Sequence, residues 1–102
     1  MIDKKVYKEA FERSEGGGCE ICGSYDRTEL HHIIGGSGKR KQCERIESVI
    51  FLCFSHHYGK NGIHEDNSIL SKKLKLKLQE TYYSMGMDET EVRKWMGGKI
   101  YG

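Results

Sequence analysis

The sequence lacks proline, and it lacks any apolar run of membrane-spanning length. None of its 102 residues is proline, so the turns rely on glycine, of which there are 13. A transmembrane helix needs roughly 20 consecutive apolar residues, and no stretch of the chain approaches that length. The start of the chain, Met1 to Lys5, also lacks the apolar segment of a signal peptide. These absences predict a cytoplasmic protein with no membrane partner.

Neither sign of charge dominates the chain. Seventeen Lys and Arg residues oppose 15 Asp and Glu residues, for a formal net charge of +2. Any attraction to nucleic acid must therefore come from a local cluster of cations. Lys39, Arg40 and Lys41 form such a cluster at the end of a glycine-rich loop, where they can hold a phosphate backbone. A solvated surface loop is the alternative, and the loop does not match a nucleotide-binding P-loop because Arg40 follows Lys39.

The length of the chain predicts a single domain with a modest core. Apolar residues recur at three- and four-residue spacing near the start of the chain, which predicts an N-terminal helix at residues 3–14. A second helix is expected to begin at a capping residue among 66–68 and to run to about residue 85. A capping box formed by Asp88 and Glu91 predicts a C-terminal helix at residues 88–97. The core is expected to span residues 19–85.

All four cysteines and all five histidines lie between Cys19 and His64. The Cys19-x-x-Cys22 turn points both sulfurs in one direction, which is typical of half a zinc site. Disulfides are rare in a reducing compartment. A pair of buried thiols or a redox motif is the alternative, but no thioredoxin-like pattern surrounds the two cysteines.

A second half-site follows an apolar stretch at residues 46–53, which predicts a buried strand. Cys53-x-x-His56 repeats the spacing of the first half-site, so the two together predict a tetrahedral Cys3His structural zinc site. Cys43 competes for the fourth position. His56 is the preferred ligand because its spacing places it in one turn with Cys53.

The adjacent histidines His31 and His32 lie on a predicted strand at residues 27–34. Consecutive side chains of a strand point to opposite faces, so the two rings are expected to have different roles. One can bind a metal while the other accepts a proton from water, although a structural histidine pair is the alternative. Farther along the chain, glycines at 59 and 62 form a tight loop that can bring His64 toward His57. Strands and helices together predict an α+β fold.

These motifs together resemble the HNH family of ββα-metal nucleases, and more narrowly its small phage and prophage members. The resemblance covers most of the chain from Cys19 onward. The matching segments are His31-His32-Ile33-Ile34-Gly35-Gly36-Ser37-Gly38-Lys39-Arg40, Leu52-Cys53, His57, Asn61-Gly62-Ile63-His64 and the tail from Gly98 to Tyr101.

The resemblance implies a small zinc-stapled ββα-metal fold that hydrolyses phosphodiester bonds of DNA, as an endonuclease or nickase in the bacterial host. It assigns His31, His57 and His64 as ligands of one divalent cation, either Mg, Mn, Ni or Zn, and His32 as the general base. Lys39 and Arg40 would then hold the flanking phosphates.

The sequence departs from the family pattern at two places. The family usually has asparagine in the second strand, where its side chain helps to hold the loop that bears the base, and here Glu47 and Ser48 occupy that region. The second half-site ends in His56 where cysteine is usual. Two other functions share these motifs: a zinc-containing DNA-binding module without catalysis, and a zinc-based protein adaptor that does not bind DNA.

Overall fold

The computed structural model describes residues 3–34, 45–59, 62–63 and 68–102. Within these ranges the chain forms helices around one two-stranded antiparallel sheet, which confirms the predicted small α+β architecture. The elements in chain order are α1 (Lys4–Arg13), β1 (Glu29–His32), β2 (Val49–Leu52), α2 (Phe54–Tyr58), α3 (Ile69–Ser84) and α4 (Glu89–Trp95). None of the helices in the described ranges is both long enough and apolar enough to span a membrane.

Helix α1 covers one face of the sheet. It starts where the Asp3 carboxylate accepts hydrogen bonds from two backbone amides of the first turn. It ends just before Gly16 and Gly17, whose φ angles of +92° and +91° favour glycine. Ala10 is fully buried and packs with Phe51 of β2 in a small apolar cluster. This contact fixes the helix over the hairpin.

The register of the hairpin decides which histidine lies on which face of the sheet. His31 pairs with Ile50, and His32 pairs with Val49. Residues directly opposite each other in an antiparallel pair point to the same face. Ile50 belongs to the main apolar cluster, with residues of α3 and α4, while Val49 belongs to the cluster under α1. The two adjacent histidines therefore lie on opposite faces of the sheet.

Both strands are shorter than the sequence pattern predicts. Residues Ile46–Ser48, expected to begin the second strand, form one turn of 3-10 helix instead. The Ser48 hydroxyl donates to the carbonyl of Arg45 and accepts from its amide, and such local bonds compete with a strand ladder. The first strand cannot begin at Arg27, whose φ of +46° is in the left-handed region.

The main core lies between the sheet and the two C-terminal helices. Helix α3 begins after Ser68, whose hydroxyl accepts a hydrogen bond from the Ser71 amide. Its inward face buries three large side chains, and one residue of α4 and the residue that follows this helix bury two more against them. These residues are Leu74, Leu78, Tyr82, Val92 and Met96. The core thus supports the sheet face on which His31 lies.

Candidate metal centre and active site

Cys19, Cys22, Cys53 and His56 converge on one point, with all four ligand atoms within 4.8 Å of one another. The two sulfurs of Cys22 and Cys53 are 3.7 Å apart, and Nδ1 of His56 is 3.6 Å from Cys19 Sγ and 3.3 Å from Cys53 Sγ. Around a tetrahedral zinc ion, the usual bond lengths give ligand separations of about 3.8 Å between sulfurs and about 3.6 Å between sulfur and nitrogen. The cluster therefore has the chemistry and the size to hold zinc.

The first half-site is held against the outer edge of β2. Gly23 closes the turn by donating its amide to the carbonyl of Cys19 at 2.8 Å, with a φ of +79°. Glu20 pairs with Phe51 twice, through its backbone amide at 2.9 Å and through its carboxylate, which accepts the Phe51 amide at 2.7 Å. The guanidinium of Arg13, on α1, donates two hydrogen bonds to that carboxylate, at 2.6 and 2.9 Å. These bonds set Cys19 at the end of the sheet.

The second half-site lies at the junction of β2 and α2. Cys53 directly follows the strand and precedes the helix, and the His57 amide donates to its carbonyl at 2.9 Å. One turn of helix then places His56 beside the sulfur of Cys53. The predicted Cys3His set is thus confirmed as a cluster that can bind metal, and Cys43 lies outside the described residues.

The electrostatics of the cluster favour a bound cation. Burial raises the pKa of the Cys19 thiol, but backbone amides of Cys22, Cys53 and Ile21 stabilise its thiolate, and the net effect lowers that pKa to about 6. The pKa of Cys22 is raised overall. A hydrogen bond from the Ser24 amide acts to lower this pKa, but burial and the neighbouring sulfurs of Cys19 and Cys53 have the larger, opposite effect. A second thiolate is therefore unfavourable beside the first, and a divalent cation removes that penalty.

Two of the histidines predicted to bind a second cation lie on the core side of the hairpin. The rings of His31 and His57 meet edge to face, with their centroids 4.6 Å apart. His57 is buried, and its Nδ1 is 3.5 Å from a carboxylate oxygen of Glu29. Two of the three predicted cation ligands are therefore neighbours. The third, His64, lies outside the described residues.

His32 lies on the other face of β1, opposite Val49. Its Nε2 atom is shielded from solvent, while the ring as a whole is half-buried. The segment that follows is tied to the start of β2, because the Ile33 amide donates to the carbonyl of Ser48 at 2.8 Å. The Ser48 side chain bonds to the backbone of Arg45 within the same turn of 3-10 helix.

Glu29 is a candidate site residue that the sequence motifs do not single out. Its only signal is the two-residue step to His31, which places both side chains on one face of a strand. A carboxylate at that step is common in strands, so the spacing alone does not separate Glu29 from a surface residue. The predicted phosphate-binding residues Lys39, Arg40 and Lys41 lie outside the described residues.

Comparisons with family models, with curated proteins and with solved structures find no match to this chain. The described residues form one cluster with the chemistry of a structural zinc site. His57, the residue after the zinc-site residue His56, contacts His31 and lies near the carboxylate of Glu29.

Proposed function

We propose that this protein is a metal-dependent DNA endonuclease or nickase of the HNH type, with a structural zinc site and a separate catalytic cation. The observation that supports the proposal most strongly is the contact between His31 and His57. His57 directly follows the zinc-site residue His56 on α2. Binding of zinc would hold this short helix against the hairpin and so place the ring of His57 beside His31.

His31 and His57 would hold the catalytic cation, which stabilises the negative charge that develops on the leaving oxygen when it is bound. Glu29 has a supporting role in this arrangement. When neutral His57 carries its proton on Nδ1, toward Glu29, the lone pair of Nε2 is available to a metal. Glu29 would thus select the tautomer of His57 that binds a cation. The predicted third ligand, His64, remains part of the proposal.

His32 would act as the general base. A neutral imidazole accepts a proton from water near neutral pH, as the attack on a phosphodiester requires. Ser48 lies in the region where the family usually has asparagine, and its backbone carbonyl accepts the amide of Ile33, the residue after His32. It would thus help to hold the strand end that bears the base.

Plasmid cleavage with added Mg²⁺, Mn²⁺ or Ni²⁺ tests the proposal directly. We expect wild-type protein to nick or linearise the plasmid, and His32→Ala at matched zinc content to lose at least about 100-fold of that rate, as for other general bases. Thr28→Ala is the matched control, because Thr28 is also half-buried and lies just before β1. Its rate should equal that of the wild type.

The same assay separates nuclease activity from the two other functions. Absence of cleavage by wild-type protein that binds the plasmid in low salt would favour the DNA-binding module. Absence of both cleavage and salt-dependent binding would favour the protein adaptor. A cleavage rate that is the same in His32→Ala as in Thr28→Ala would refute the role of His32 as the base.

A further inference from the structure

A continuous line of flat side chains leads from the histidine pair to the protein surface. The ring of His57 lies 4.0 Å from that of Tyr58, and the Tyr58 ring lies 5.4 Å from that of Phe54, measured between centroids. The guanidinium carbon of Arg27 lies 4.0 Å above the centre of the Phe54 ring. With His31, five planar groups follow one another from the proposed cation site outward.

The outer members of this line are exposed to solvent. Tyr58 is 56% exposed and Phe54 is 39% exposed, although both are large aromatic residues. Their four-residue spacing puts them on the same side of α2. Their exposed faces are therefore open to a flat ligand.

The position of Arg27 over Phe54 is held by its neighbour. Both carboxylate oxygens of Asp26 accept hydrogen bonds from the guanidinium, at 3.0 Å each, and the Asp26 carbonyl accepts the Phe54 amide at 3.1 Å. Arg27 itself has the left-handed φ of +46°, an unfavourable conformation for this residue type. Since Asp26 offsets the charge of Arg27, this surface suits a flat uncharged ring better than it suits a phosphate.

We propose that Arg27, Phe54 and Tyr58 form a stacking surface for unpaired nucleobases, and that the substrate of the site is single-stranded or branched DNA. The choice of substrate rests on the proposed nuclease function. Aromatic rings and guanidinium planes bind the faces of bases in single strands with little regard to sequence. In a duplex, neighbouring bases cover those faces. A base stacked on Tyr58 would place its own strand next to His57 and His31.

Fluorescence anisotropy can test the stacking surface separately from catalysis. The probes are a labelled single-stranded oligonucleotide and a labelled hairpin duplex of the same composition, with zinc-loaded protein and no added divalent cation. We expect tighter binding to the single strand, weakened about 5- to 150-fold by Tyr58→Leu or Phe54→Leu, which corresponds to the usual value of one stacked base. Duplex affinity should change little. Tyr83→Leu is the matched control, because Tyr83 on α3 is 40% exposed.

Two results would overturn the inference. One is equal affinity of the wild type for the single strand and the duplex. The other is a loss of single-strand affinity in Tyr58→Leu or Phe54→Leu no greater than that in Tyr83→Leu. If either occurs while plasmid cleavage depends on His32, the nuclease function stands and the stacking surface does not. If the single-strand preference is lost in the variants as expected but no DNA is cleaved, the stacking surface stands as a binding site, and its assignment as a substrate surface falls with the nuclease function.

Discussion

Removal of zinc should destabilise the whole protein, because the metal cluster ties two distant parts of a small chain together. Cys22 and Cys53 are 31 residues apart in sequence, and their sulfurs are 3.7 Å apart in space. Because zinc binds the folded cluster and not the unfolded chain, zinc at about 1,000 times its dissociation constant contributes about 4 kcal/mol to the free energy of unfolding. A domain of this size has a total free energy of unfolding of roughly 5–15 kcal/mol. Loss of the tie therefore removes a large fraction of the stability.

Zinc removal has a second cost, which comes from charge. Cys19 is 4% exposed, and the pKa of its thiol is lowered to about 6, so the sulfur is charged at neutral pH. Without a cation, that buried thiolate lies close to the other sulfurs. In a domain of about 100 residues, each kcal/mol lost from the free energy of unfolding lowers the melting temperature by about 4–8 °C. A loss of about 4 kcal/mol therefore lowers it by roughly 15–30 °C.

Thermal melting by far-UV circular dichroism measures this effect in zinc-buffered solution, with and without a strong chelator. Cys22→Ala tests whether the effect comes from this cluster. Its side chain is exposed, so the substitution removes a ligand without leaving a cavity. At low free zinc this variant should melt like the chelated protein. The control is Ile21→Ala, at a 42% exposed neighbour that is not a ligand. Unchanged melting after chelation, or identical melting of the two variants, would refute the reasoning.

Two further predictions concern the ion pair at the first half-site and the pH dependence of zinc binding. Arg13→Ala should lower the free energy of unfolding by roughly 2–3 kcal/mol, because its guanidinium bonds to Glu20 and to two backbone carbonyls. The control is Arg93→Ala, which removes an exposed ion pair with Glu89 on α4 and should lower the free energy of unfolding by less than about 0.5 kcal/mol. Equal urea midpoints for the two variants would contradict the prediction. Zinc affinity should fall with decreasing pH, since the thiols must lose their protons to bind metal, and more steeply below about pH 6, where Cys19 is protonated. Competition with a coloured chelator measures the slope, and an even slope on both sides of that pH would count against the lowered pKa of Cys19.

The zinc cluster could be predicted from the sequence because its ligand spacing is local. Two ligands separated by two residues are brought together by a single turn, whatever the rest of the chain does. The helices at each end of the chain could be predicted for the same reason. Their apolar residues follow the helical period, and the capping carboxylates of Asp3 and Asp88 accept hydrogen bonds from amides two or three residues ahead.

The arrangement of the second site could not be predicted in this way. The helix at Phe54–Tyr58 has no periodic signal of its own, since it is barely more than one turn long. The contact of Glu29 with His57 depends on which residues of two distant strands pair. A shift of one residue in that register would move His31 to the other face of the sheet.

By itself, the sequence determined the metal-binding residue types, their short-range spacing and the helices at each end of the chain, because those features depend on neighbours along the chain. Only the tertiary structure decided that His31 meets His57, that Glu29 contacts the same ring, and that Phe54 and Tyr58 stay exposed beside them. The physical reason is that strand register and helix docking depend on packing between residues far apart in sequence. The buried contacts of the main core therefore select one arrangement from several that the local pattern allows.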